Sequence, residues 1–230
     1  ANIREYLARR GVQGLVRVIS APTPFIGAER LVEAYGLGAL APNTVLLGDT
    51  REREHRGPYC RMVTHFFQSR RNVIIVRDDE SLGYGLRQRI DVWWGGLKGN
   101  GGLMMILAYL LQSSLAWRGV EVRLCMVVPS ETAAQDAQAN LSSIVHHIRT
   151  DFIPEVLVAR GRPFDEILRE TSKDADLVLM GMAEPNDDFE AYYEQLRERT
   201  QGLPSTVFVL AAEEIAFREV LLQRDGVTGE

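Results

Sequence analysis

A chain of 230 residues with 46% hydrophobic content is long enough to bury a real core as one large or two small domains. Its 31 Asp and Glu against 26 Lys and Arg give a net charge of −5, and the charges are mixed along the chain, so nucleic acid is not an expected partner. Cys60 and Cys125 are isolated; they suggest a reducing compartment and make neither a disulfide framework nor a zinc site.

In chain order, residues 2–10 place Ile3, Tyr6 and Leu7 on one helical face, closed by Gly11. Residues 14–20, Gly-Leu-Val-Arg-Val-Ile-Ser, read as a strand, and after an Ala-Pro-Thr-Pro turn a helix is expected over 25–37, with a glycine stop at 36–38. A strand over 44–48, a polar loop over 51–56, a helix opened by Pro58 and a buried strand over 72–76 follow. The polar, glycine-containing stretch over 78–88 reads as a connector and the boundary between two halves.

The strand over 90–94, Ile-Asp-Val-Trp-Trp, leads through a glycine-rich loop over 95–102 into an apolar helix. No charge occurs from Gly99 to Trp117, yet the unbroken apolar run covers only 103–111, well short of the roughly 20 residues of a spanning helix. It reads as a buried helix covering a sheet. In the strand over 120–128, alternation with Glu121 and Arg123 suggests one partly exposed end. Ser130 caps a helix to about Arg149, and strands over 155–159, 176–181 and 205–210 alternate with helices over 163–172 and 187–200. Strict alternation calls for a doubly wound, mostly parallel sheet with helices on both faces.

The chain also repeats itself. Val-Leu-Leu-Gly at 45–48 matches Val-Leu-Met-Gly at 178–181, a separation of 133 (178 minus 45), and 72–76 meets 205–209 at the same separation. Pro24-Phe25 returns as Pro163-Phe164, displaced by 139. The first copy lacks counterparts, at least in part, of the strands at 90 and 120, so residue 1 is expected to fall inside a domain whose beginning is absent.

Little here suggests chemistry. The loop over 95–102 is neither Gly-x-Gly-x-x-Gly nor a Walker loop, since Lys98 is followed by Gly99; it reads as a flexible helix entry in which glycine supplies positive φ. His146 and His147 point about 100° apart on a helix and lack companions for a metal shell. His55, His65 and the cysteines have no sequence-local catalytic partner. Asp187, Asp188 and Glu190 read as a helix cap, and Trp93 and Trp94 as core on opposite faces of a strand. No catalytic residue and no metal site are expected.

The residues do resemble a family. Asp-Val-Trp-Trp at 91–94 with Gly-Gly-Leu at 101–103 and Ala-Tyr-Leu-Leu at 108–111, Gly27-Ala28 before Tyr-Gly-Leu-Gly at 35–38, Pro-Asn-Thr-Val-Leu-Leu-Gly at 42–48 and Gly-Leu-Pro at 202–204 are similar to the cytosolic carboxyl-terminal domain of cation-chloride cotransporters, in a prokaryotic-type form. The resemblance runs from about Phe25 to Val209. It implies two tandem universal-stress-protein-like (Rossmann-like) halves, at 1–80 with its beginning missing and at 90–230, joined by a connector at 81–89. It implies a regulatory and dimerisation domain, without catalysis, of a membrane protein that moves chloride with sodium and/or potassium. Its partners would be its own transmembrane domain and a second copy, at the cytoplasmic face of the cell membrane, with no insertion of this chain into the bilayer. The chain departs from the family in Gly-Gly-Leu-Lys-Gly-Asn at 95–100, where an acidic Asp-Gly-Gly approach is usual, and it lacks the long polar insertion of animal relatives, so their kinase control is not expected. No cofactor is required. Some family members hold adenine nucleotide in the first half, which would place ATP at the strand ends Ser20 and Gly48. In the second half Gly181 is followed by Met-Ala-Glu-Pro and Trp94 stands where nucleotide-binding universal stress proteins carry an acid, so no nucleotide is expected there. The alternative reading is a free-standing nucleotide-binding protein of the universal-stress type.

Overall fold

The computed structural model describes residues 2–35, 42–95 and 98–213. The chain divides into two compact units, Ala1–Ala41 and Pro42–Glu230. Among the described residues of the smaller there are two α-helices. Helix α1 (Ile3–Arg9) is capped by Asn2, whose side chain accepts from the Arg4 N–H at 3.1 Å, and Gly11 ends it at φ +65°. Helix α2 (Pro24–Ala34) starts at a proline behind Thr23, whose hydroxyl accepts from the Ile26 N–H at 3.3 Å. The expected glycine stop at 36–38 lies outside the described residues.

The larger unit carries strands β1 (Thr44–Gly48), β2 (Asn72–Arg77), β3 (Arg89–Trp93), β4 (Glu121–Val128), β5 (Ile153–Val158), β6 (Leu177–Gly181) and β7 (Thr206–Leu210), with helices α3 (Arg56–Gln68), α4 (Lys98–Gln112), α5 (Glu131–Ile148), α6 (Phe164–Ser172) and α7 (Phe189–Arg199) between them. They form one sheet in the order β1-β2-β7-β6-β3-β4-β5, parallel throughout except where β2 meets β7. The expected fold class, a mostly parallel α/β sheet, is what the chain adopts. On one face Ile74, Val207, Val209, Leu179, Ile90, Val92 and Leu124 pack in one cluster with Leu103, Met104 and Ala108 of α4 and Leu141 and Val145 of α5.

The repeat read from the sequence is exact in register. Val45 pairs with Val73 and Gly48 with Val76, while 133 residues on Val178 pairs with Thr206 and Gly181 with Val209. Helix α3 begins at Arg56 and α7 at Phe189, again 133 apart (189 minus 56). At the antiparallel junction Ile75 lies opposite Phe208, and these two are themselves 133 apart, so a local twofold axis passes between them. Side chains respect it. Asn72 accepts from the Ala212 N–H at 3.0 Å, and its counterpart Ser205 accepts from the Asp79 N–H at 2.9 Å; 72 and 205, and 79 and 212, each differ by 133.

Among the described residues one expected strand is absent. No strand forms over 14–20, where Leu15 and Val18 are each 84% exposed. The offset of 139 maps 14–19 onto β5, whose sole sheet neighbour is β4, and no described strand of the first copy corresponds to β4. A strand without a neighbour leaves its backbone groups to water, so the segment stays irregular. Strand β1 shows the complementary gap: Leu46 is 68% exposed, whereas its counterpart Leu179, flanked by β3, is 1% exposed.

A charge sits in the middle of the sheet. Asp91 is fully buried on β3, opposite Arg123 in the β3–β4 register, and its carboxylate accepts from Arg123 Nε at 2.8 Å, Arg123 Nη2 at 2.7 Å and the Ser172 hydroxyl at 2.7 Å. Ser172 in turn accepts from the Trp93 indole N–H at 3.0 Å, and Arg123 also donates to the Thr171 carbonyl at 3.0 Å, so one network ties α6 to β3 and β4. The hydrogen bond to Asp91 raises the Arg123 pKa further above its ordinary value. Glu121 makes the partly exposed end that the alternation suggested, while Arg123, its side chain 15% exposed, turns inward to Asp91. Removing one member of such a pair strands a buried charge. Asp91→Ala is expected to lower unfolding free energy by about 3–5 kcal/mol in urea denaturation, and the double variant Asp91→Leu/Arg123→Met to recover a large part of that loss.

Candidate functional site

A cavity of about 200 Å³ opens at the carboxyl ends of β3 and β6, between the start of α4 and helices α6 and α7. The chain leaves β3 toward β4 on one side and β6 toward β7 on the other, so this is the point where strand order reverses and where open α/β sheets present a crevice.

The glycine-rich stretch builds one wall, in a way different from that expected. Gly99 and Gly101 lie inside α4, and neither takes a positive φ. The use of Gly101 is close approach. A Cβ on Gly101 would fall 2.3 Å from the Trp94 ring, and one on Gly181 would fall 3.0 Å from the Asn100 side chain. The space left by Gly181 admits Asn100, which is buried; its Nδ2 donates to the Met182 carbonyl at 2.7 Å and its Oδ1 accepts from the Ala211 N–H at 2.7 Å. One side chain thereby fixes the first turn of α4 to the ends of β6 and β7.

The twin tryptophans part company. Trp93 is core, as expected, edge-on to Phe164 with centroids 5.5 Å apart. Trp94 is half-buried: its backbone N–H donates to the Cys125 carbonyl at 2.7 Å and its ring faces the cavity. Met104, Phe164, Leu168 and Met180 supply the remaining apolar walls. At the mouth stand Gln195 and Arg199, both exposed, with the Arg199 guanidinium 5.6 Å from the Phe164 ring centre. The polar groups deeper in are engaged already. The Tyr192 hydroxyl accepts from the Ala183 N–H at 2.8 Å, and Thr200 donates to the Leu196 carbonyl at 2.7 Å.

The two nucleotide candidates fall in different units. Ser20 is exposed, outside any helix or strand of the smaller unit. Gly48 ends β1, and its carbonyl accepts from the Tyr59 hydroxyl at 2.8 Å. Just beyond it the Asp49 side chain is only 5% exposed, its carboxylate accepting from the Tyr193 hydroxyl at 2.7 Å and from Arg197, which also donates to the Thr50 carbonyl at 2.8 Å. Burial, then the Tyr59 and Asp49 charges, pushes the Tyr193 hydroxyl well above its usual range, so it remains a donor at all ordinary pH. The groove at Gly48 is lined by Asp49, Asp78, Glu80, Arg51, Arg77 and Arg197, with Arg51 paired to Glu80. This buried polar network had no sequence signal beyond an Asp after a strand and an Arg on a later helix.

Other candidates are placed as follows. His146 and His147 sit in the last turn of α5. Asp188 occupies the cap position of α7 without a side-chain cap bond; Asn186 instead accepts from the Asp188 N–H at 3.0 Å. Glu52, Glu54 and His55 lie close enough together to share an ion, but all three are exposed and His55 already pairs with Glu52 at 2.9 Å. Cys60 and Cys125 are buried thiols. Burial, followed by Glu190 and Glu194, pushes Cys60 up to about 12, and burial followed by Asp91 pushes Cys125 up as well, so neither is a thiolate nucleophile near neutral pH.

Comparison with known proteins fits this arrangement. The family model for solute carrier family 12 matches residues 85–163. Cation-chloride cotransporter 2 of Oryza sativa subsp. japonica is 24% identical over 209 residues, covering 87% of this chain and 21% of the relative. Potassium/chloride cotransporter 3 of Caenorhabditis elegans is 28% identical over 136 residues, 55% of this chain and 12% of the relative. The chain therefore spans about a fifth or less of the length of these relatives. The cytoplasmic domain of a prokaryotic cation chloride cotransporter has the same fold, with a TM-score of 0.70 and 21% identity over 95% of this chain and 81% of that one. A universal stress protein from Archaeoglobus fulgidus DSM 4304 aligns with a TM-score of 0.60 and 11% identity over 90% of this chain and 72% of that one. None of these names denotes an enzyme.

Two outcomes check the site geometry. Gly101→Ala, which forces a methyl group into the Trp94 ring, is expected to lower stability by about 1–3 kcal/mol and to shift tryptophan emission. With Ellman's reagent at pH 8, neither cysteine is expected to react in the folded protein and both in guanidinium.

Proposed function

From the likeness to cation-chloride cotransporters that the family model, the sequence relatives and a solved cytoplasmic domain share, we propose that this chain is the cytosolic regulatory and dimerisation domain of a membrane cotransporter that moves chloride with sodium and/or potassium, and that it catalyses nothing itself. The observation that carries this reading is the cotransporter alignment running through nearly the whole chain. Among the described residues no helix is long and apolar enough to cross a membrane, so transport falls to a separate transmembrane portion, with this domain held at the cytoplasmic face of the cell membrane. The halves run over 1–80 and 90–230, joined by a connector at 81–89. That connector is held down firmly: Asp176 accepts from the backbone N–H groups of Leu86, Gln88 and Arg89 at 2.9, 2.6 and 3.0 Å. A sheet continuous from β1 to β5 makes a stiff body through which a partner can bias the membrane portion, provided its contacts differ between two transporter states.

Two measurements test this. Light scattering on the isolated chain at about 100 μM should give twice its 25.8 kDa mass, and a strict monomer would remove the dimerisation claim. In vesicles carrying the full-length protein, uptake of a sodium or rubidium tracer should require chloride; chloride-independent uptake would remove the transport assignment. The fold likeness to a universal stress protein favours one competing reading, a free-standing nucleotide binder. That reading requires ATP at about 100 times its Kd to add about 2.7 kcal/mol of stability, and an unmoved melting curve dismisses it.

A further inference from the structure

We propose that the cavity at the carboxyl ends of β3 and β6 binds a small planar aromatic molecule carrying one anionic group. The volume, about 200 Å³, lies below the ~300–1,000 Å³ of drug-sized sites, which limits the occupant to one or two fused rings. The walls select its body. Trp94, Phe164, Met104 and Met180 offer ring faces, ring edges and polarisable sulfur, the surfaces against which a flat aromatic ring packs best.

The depth of the cavity selects against polar bodies. Most inner polar groups turn their hydrogen bonds to the protein: the Trp93 indole to Ser172, Asn100 to Met182 and Ala211, Thr200 to Leu196, while the Tyr192 hydroxyl accepts from the Ala183 N–H and keeps its proton. A sugar or other polyol placed there would give up several hydrogen bonds to water for the one donor that Tyr192 offers. The mouth selects the charge. The Arg199 guanidinium stands at the rim over Phe164, with Gln195 beside it, and its planar fork pairs with a carboxylate or sulfonate on the outer end of a ligand whose ring lies inside. This inference does not depend on the cotransporter reading, and a negative result for either leaves the other standing.

The test uses indole-3-acetate as probe, with indole and ATP as comparators, followed by titration calorimetry and by the tryptophan side-chain N–H signals in NMR. Trp117, buried with the α4 and α5 cluster away from the cavity, is the internal control. Indole-3-acetate should bind saturably with a Kd of about 0.1–1 mM, shifting the Trp93 and Trp94 signals and leaving that of Trp117 in place. Arg199→Gln should weaken it about tenfold while leaving indole unaffected. Gln195→Trp, an exposed substitution that plugs the mouth, should abolish binding of both with melting temperature unchanged, and ATP should not compete. Absence of saturable binding up to about 5 mM, undiminished binding by Gln195→Trp, an Arg199→Gln variant as good as the parent, or displacement by ATP would each overturn the proposal.

Discussion

The antiparallel pairing of β2 with β7 is the constraint on which the larger unit rests. Each strand is the last of its copy, and each would otherwise be an edge with a row of unpaired backbone groups and an apolar face. Setting Ile75 against Phe208 satisfies both edges at once and makes the cores on either side continuous. Helices α3 and α7 also meet across the two copies, with the Tyr59 and Tyr193 rings 6.0 Å apart. The Asp49 carboxylate, gripped by Tyr193 and Arg197, then bridges from the end of β1 to the helix of the other copy.

Duplication conserves geometry here more strictly than chemistry. Asn72 and Ser205 share no side-chain group, yet each accepts a hydrogen bond from the backbone N–H at the equivalent position. The position demands an acceptor of short reach, and an amide oxygen or a hydroxyl serves. The strand ends diverge further. Gly48 leads into Asp49 and its ion pair, whereas Gly181 makes room for Asn100 and opens onto an apolar cavity. One scaffold thus presents a charged and a greasy version of the same crevice.

Much of this was legible in the chain. Parallel alternation, the 133-residue repeat and nearly all strands followed from apolar periodicity and glycine or proline punctuation, because those signals are local. What escaped is what depends on neighbours. The stretch at 14–20 has strand composition but no adjacent strand; Arg123 reads as exposed until Asp91 is set opposite it; and Gly101 looks like a turn former until the Trp94 ring is seen lying on it. Ser20 and Gly48 stand out in the sequence as expected strand ends, a position that says nothing about the carboxylate that follows Gly48. The cavity itself had no signature, since its walls come from four segments far apart in sequence.

The junction centred on Ile75 and Phe208 is self-complementary, and this has a bearing on folding. When two chains are open at once, β2 of one can meet β7 of the other with the same register, the same hydrogen bonds and no new surface to invent. Intramolecular closure wins only because the connector keeps the proper partner at high local concentration. Refolding from concentrated denaturant therefore carries a built-in route to exchanged, interlocked pairs.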